Sequence, residues 1–236
     1  MTPSPIDGTV TPCLMNSLTF TGVDQWCDIA ELVEIAAGTR PLRIKWAVLA
    51  GTSTGNDPRF PDLETIARFR DRTAASGTAA ALHLCGRLAR AVAAGDLDET
   101  VGLGAGFRRI QINAASHDYG QLAKLAHRTG ARVIAQEQHG FAAKRAPSER
   151  LHYLDDGSGG RGISQLHGWT KGWDRVRCGY AGGVGPDNIT EAIGRATEKG
   201  GPNAWLDMES SIRTNERLDT AKVNAVIRQA VENASR

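Results

Sequence analysis

The sequence predicts an α/β protein, a single-domain (β/α)8 TIM barrel over residues 1–236, and three observations carry that prediction. Short apolar segments of strand length alternate with longer stretches whose apolar residues recur at three and four, the alternation of a parallel sheet with helical crossovers. A repeat of roughly thirty residues holds one strand, one helix and their loops, and right-handed crossovers close eight such units into a ring. Glycine, with 27 residues, gathers just past the apolar runs, at Gly51, Gly86, Gly157 to Gly162 and Gly182 to Gly185, where strands pass into close-approach loops.

Taken in order, the first strand is expected at Val10 to Asn16, followed by a helix over Asp24 to Ala37. The second unit places a strand at Leu42 to Ala50 and a helix at Asp62 to Ala75; the third contributes a strand at Thr78 to Leu84. A fourth strand, Arg108 to Asn113, leads to a helix over Tyr119 to Thr129. The fifth strand, Arg132 to Gln138, precedes a poor helix at Phe141 to Glu149, and the sixth, Leu151 to Asp155, precedes a glycine-rich polar stretch at Gly157 to Gly172. Both stretches read as functional loops. Strands at Arg177 to Ala181 and Ala204 to Met208, with helices at Pro186 to Lys199 and Asp219 to Ala234, complete eight units without a linker. Each of the five helices named carries an apolar stripe along one face.

Charge narrows the function classes. Lys plus Arg number 28 and Asp plus Glu 26, so the formal charge of +2 supplies no global field for nucleic acid or an acidic membrane. Cys13, Cys27, Cys85 and Cys178 are isolated, without the paired spacing of zinc or redox sites, and suit a reducing compartment. No apolar run reaches the length of a membrane helix, and the opening MTPSPIDGTV lacks the regions of a signal peptide, so a cytoplasmic location is expected. No cofactor and no metal are expected; a metal set of His83, Cys85 and His139 has no supporting spacing. No nucleic-acid or membrane partner is expected, and the oligomeric state is left open.

Polar residues concentrate at the strand ends: Asn16, His83, Gln111 with Asn113, Gln136 with Gln138, Asp155 with Asp156, and Glu209. In such barrels the loops after the strands carry the site, and the two-residue intervals keep Gln111 with Asn113, and Gln136 with Gln138, on one face. Solvated strand ends would also be polar. The sharpest segment is YAGGVGPDNITEAI, residues 180–193. Gly182 and Gly183 let the main chain approach an anion, and Ser210 and Ser211 after the next strand offer amides and hydroxyls from the other side. A tight turn with a serine cap is the plainer alternative.

These segments resemble the phosphoribosylanthranilate isomerase family, a barrel family of tryptophan biosynthesis. Its seventh strand reads like L-A-G-G-L-N-P-E-N-V, against Tyr180 to Ala192, and its eighth like V-D-V-S-S-G-V-E, against Leu206 to Arg213. Its S-P-R-Y-V-S-P-E loop resembles Asp57 to Glu64, its L-L-D and G-G-T-G resemble Tyr153 to Gly162, and its closing K-D-x-x-K-I helix resembles the segment from Leu218. The resemblance is strong from about Arg150 onward and patchy before. It implies an Amadori rearrangement of a phosphorylated aminosugar. Asp155 would be the general acid on the ring oxygen, with Asp156 as the neighbour that raises its pKa. Arg59 would grip the substrate carboxylate and Gly182, Gly183, Ser210 and Ser211 the phosphate. Gln111, Asn113 and Gln136 would line the substrate.

The family's cysteine base stands in K-I-C-G-L-T, and alignment with LMNSLT places Asn16 there. An amide cannot take a proton at neutral pH, and Cys13 points to the opposite face of that strand. Cys85, with His83 two residues before it, is the other thiol within reach. IQINA replaces V-Q-L-H-G, and Glu209 and Ser211 replace a serine and a glycine, with Arg213 placed to compensate Glu209 and meet the substrate. Two readings follow: an isomerase of this type, or a catalytically altered barrel that binds a phosphorylated small molecule.

Overall fold

A computed structural model describes residues 15, 17–138, 149–159, 161–163, 166–172 and 177–234. Eight parallel strands close in chain order, with the eighth pairing back onto the first. They are β1 Ser17–Thr21, β2 Arg43–Ala50, β3 Ala79–Leu84, β4 Arg109–Ile112, β5 Arg132–Glu137, β6 Leu151–Asp155, β7 Cys178–Tyr180 and β8 Trp205–Met208. Between them run α1 Ile29–Gly38, α2 Leu63–Ser76, α3 Gly86–Ala94, α4 Asp98–Gly104, α5 Tyr119–Thr129 and α6 Ile189–Gly200, and α7 Thr220–Ala234 follows β8.

Aspartates start four of the helices, at the expected boundary for α2, α5 and α7 and four residues after it for α1. The Asp28, Asp62, Asp118 and Asp219 side chains accept hydrogen bonds from first-turn amides, at 2.7 Å for Thr65 N on Asp62. Gly77, Gly95 and Gly130 close α2, α3 and α5 in the left-handed conformation.

Two departures matter. The first strand is SLTFT, not Val10 to Asn16; all five of its residues are buried and pair with β2 from Ser17 opposite Arg43. The segment expected as the first strand lies outside the described residues except Met15, so the end of that strand moves from Asn16 to Thr21. Two further helices, α3 and α4, fill the third unit. Leu88, Ala89 and Val92 give α3 its buried face, while Gly104 in α4 lets Ile110 pack where a side chain would collide. The Phe141 to Glu149 expectation falls outside the described residues save Glu149, and the glycine-rich stretch after β6 holds a single 3-10 turn, Leu166–Gly168.

Alternation along the strands makes two cores. Phe20, Trp46, Phe69, Tyr153 and Tyr180 pack between sheet and helices. Inside the ring a small apolar plug, Ile134, Leu154, Ala181 and Trp205, separates polar side chains at either end. Gly179 exists for this plug, since a Cβ there would run into the Trp205 ring. Gly179→Ala is expected to lower stability by about 1–3 kcal/mol through overpacking, read as a lower urea midpoint. Gly194→Ala, on exposed α6 backbone with nothing within 4 Å, should be neutral or stabilising.

Candidate active site at the carboxyl end of the barrel

Strand parity decides which polar residues converge. Leu154 points into the ring, so Asp155 points out to the helices and Asp156 points in. The inward set at the carboxyl ends is Thr21, His83, Gln111, Gln136, Asp156 and Asp207. They surround a recess of about 50 Å³.

Asp207 is the electrostatic centre. Thr21 Oγ1 donates to its Oδ1 at 2.6 Å and His83 Nδ1 lies 4.0 Å from Oδ2. Burial pushes the Asp207 carboxyl up to about 7, against the Thr21 hydrogen bond and the nearby Arg109 charge, with Glu209 and Asp156 adding to the rise. His83 is pushed down to about 3 by burial, helped by Arg109, and stays neutral near pH 7. Its Nδ1 lies 3.3 Å from Gln111 Nε2, which also donates to Asn113 Oδ1 at 3.0 Å. Asp156 accepts from Gln136 Nε2 and from the Ser158 hydroxyl, each at 2.5 Å, and from the Ser158 amide at 3.2 Å.

The recess is therefore lined by Asp156 and not by Asp155, the residue expected there. Asp155 faces away from the recess, and its Oδ2 accepts from Thr170 N at 2.7 Å and Thr170 Oγ1 at 2.8 Å. Burial raises its pKa, but it is spent on holding the loop after β6 against the helix layer. Asn16 lies outside the described residues, as do Cys13 and His139. The residue that ends the first strand and faces the recess is Thr21, followed by Gly22. Cys85 does not line the recess; it accepts from Asn113 Nδ2 at 3.4 Å, and burial pushes its thiol up to about 11, away from thiolate chemistry.

Two expected ligand contacts also change. Arg59 lies on Glu209, its Nε 2.8 Å from Oε1 and its Nη2 on the same oxygen, so its charge is already matched. Arg213 is buried outside the recess, donating to the Gly22 carbonyl at 2.9 Å and the Glu216 carbonyl and lying 3.6 Å from Asp24. It compensates Asp24, not Glu209.

The two loops flanking the glycine pair come together. Gly182 and Gly183 take φ of +100° and +68°, and their amides and that of Val184 meet no hydrogen-bond acceptor among the described residues. Asn188 fixes the loop by donating to Gly183 O and accepting from Gly185 N, both at 2.9 Å. The Ser211 hydroxyl is committed to Val184 O, leaving Ser210 on the recess with Gly162 making room for it. Thr21, Asp207 and Ser158 are site residues that sequence reasoning missed. The two-residue step from Glu209 back to Asp207 is a signal that could have found the second.

A sequence model of the N-(5'phosphoribosyl)anthranilate (PRA) isomerase family matches residues 115–229. Among solved structures, the chain is similar to N-(5'-phosphoribosyl)anthranilate isomerase from Pyrococcus furiosus, at 16% identity and TM-score 0.53, over 91% of this chain and 98% of that one. It is also similar to a truncated 3-deoxy-D-arabino-heptulosonate 7-phosphate synthase from Thermotoga maritima, at 10% identity and TM-score 0.56, over 94% and 87%. At these identities the structural matches speak to the barrel alone. No curated protein matches the chain.

The raised Asp207 carboxyl has a signed consequence for stability. Between the ordinary aspartate value and about 7 the folded protein holds a proton that the unfolded chain releases, so this group's contribution falls as pH rises through that window. Asp207→Asn removes the dependence. The stability of the variant relative to the parent is expected to improve from about pH 4 to pH 7, by up to roughly 1.4 kcal/mol per unit, and to level off above. Urea midpoints for both proteins across that range check it.

Proposed function

Taking as premise that residues 115–229 carry the pattern of the phosphoribosylanthranilate isomerase family, we propose that this barrel isomerises a phosphorylated aminosugar with Asp207 and Asp156 as its proton-transfer pair. The observation that carries the reading is the inward pair of carboxyl groups beside the unpartnered amides of Gly182 to Val184. A phosphate on those amides, with Ser210 opposite, sets the sugar across the recess, main-chain donors replacing a lysine that neither loop holds. Asp207, near half-protonated at neutral pH, gives its proton to the ring oxygen as the ring C–O bond breaks. Asp156, oriented by Gln136 and Ser158, takes the proton from C2. The Thr21 hydroxyl serves Asp207 instead of acting as a base.

Phosphoribosylanthranilate turnover tests the reading. Asp207→Asn and Asp156→Asn are each expected to lower kcat about 10²- to 10⁴-fold, and Asp155→Asn by less than about tenfold. Equal loss in all three, or none in the first two, overturns the assignment.

The Arg59–Glu209 pair favours a second reading, in which the barrel binds a phosphorylated molecule without the carboxylate that Arg59 would otherwise meet. Glu209→Gln frees Arg59. A lower KM for phosphoribosylanthranilate supports the isomerase reading; no turnover in parent or variant, with retained phosphate binding, supports the second.

A further inference from the structure

The amino end of the barrel gathers an excess of positive charge that the candidate active site does not use. Arg43, Lys45, Arg109, Arg132 and Arg177 lie at or near the starts of β2, β4, β5 and β7 and line one cavity of about 750 Å³ there. Among the described residues no carboxylate lines it. Arg109 and Arg132 are direct partners across β4 and β5, a placement that sets like charges side by side. Among the described residues Arg43, Arg132 and Arg177 form no ion pair, and the Arg177 guanidinium reaches only the Asn203 side-chain oxygen, at 3.5 Å.

Arg109 supplies the second observation. It is 6% exposed, lines the cavity, and its Nε has no hydrogen-bond partner. Thr19 takes one amino group at a long 3.4 Å, and the Trp205 ring lies 4.8 Å away on the side of the plug. Lys45, half-buried beside it, donates to Ser17 Oγ, and its ammonium is disfavoured by burial and by all four arginines. Asp207 is the one carboxylate that stabilises the Arg109 charge, from the far side of the plug. A ring of cations with one buried donor left over is energetically costly without a partner and is the donor set for a ligand with several anionic oxygens.

We propose that this cavity binds a small multivalent oxyanion, held by Arg43, Arg132 and Arg177 at the rim and by Arg109 and Lys45 within. The five line one hollow, with Arg109 buried within it and Arg43, Arg132 and Arg177 exposed at its rim, and about 750 Å³ is the size of a small-molecule site. The proposal does not depend on the chemistry assigned to the other end.

The full chain is titrated at low ionic strength with tripolyphosphate and, separately, citrate, by calorimetry and by thermal melting, against sodium chloride matched in ionic strength. Saturable binding of either, with a Tm rise beyond the chloride control, is expected, and the tighter anion identifies the phosphate or carboxylate class. Arg132→Gln and Arg177→Gln should each weaken it at least tenfold. Without anion, Arg132→Gln should melt no lower than the parent, because repulsion with Arg109 is relieved, so lost binding is not lost folding. A Tm rise that chloride reproduces overturns the site. So does parental affinity in both arginine variants, including the case where Gly183→Val abolishes binding and places the anion at the opposite end.

Discussion

Arg109 sits buried inside the ring over Trp205, at the floor of the amino-end cavity, and burial lowers its pKa to about 10 while Asp207 works against that loss. A guanidinium in that position has to be balanced from within the barrel, because removing one partner of a buried charged set leaves the other uncompensated. Asp207 carries that duty from above the apolar plug, and it does so without direct contact, which leaves its own carboxyl free for Thr21 and the recess. The neutrality of His83 follows from the same charge, since Arg109 adds to the desolvation that keeps a proton off its ring. The polar order at the carboxyl end thus rests on a cation whose side chain belongs to the amino end.

The plug between the two ends is small for a barrel of this kind, whose interior layers are usually branched aliphatics. Here Ile134, Leu154, Ala181 and Trp205 do the separating, and the indole fills its share because Gly179 on the neighbouring strand has no side chain. Polar residues above and below meet water-facing space and not one another. Functional variation at one end is thereby insulated from the other, except through the field of Arg109.

The barrel and most strand bounds were legible because short continuous apolar runs, buried on both faces in the strands, are local signals. α3 and α4 were not singled out, although Leu88, Ala89 and Val92 carry a helical stripe, because glycines interrupt the second of them. At the site, the inward glutamines were readable from their spacing, whereas Asp155 against Asp156 was not: two adjacent aspartates give no parity until a neighbour such as Leu154 is known to face inward. The Arg59–Glu209 and Arg213–Asp24 pairs join residues 150 and 189 positions apart, and no local pattern announces them. Net charge was the least informative quantity, since a total of +2 conceals seven cationic residues on one cavity.

The Arg213 side chain spans the seam where β8 meets β1, tying Gly22 and Asp24 to the hairpin of Arg213–Thr214 with Arg217–Leu218. During synthesis every strand but the first can pair with a neighbour already made; the seam alone waits for the end of the chain. Until it forms, β1 and the last strand made are two open sheet edges, the arrangement most prone to pairing with other chains. The arginine follows β8 in the chain, so an unfinished ring leaves Asp24 without its cation.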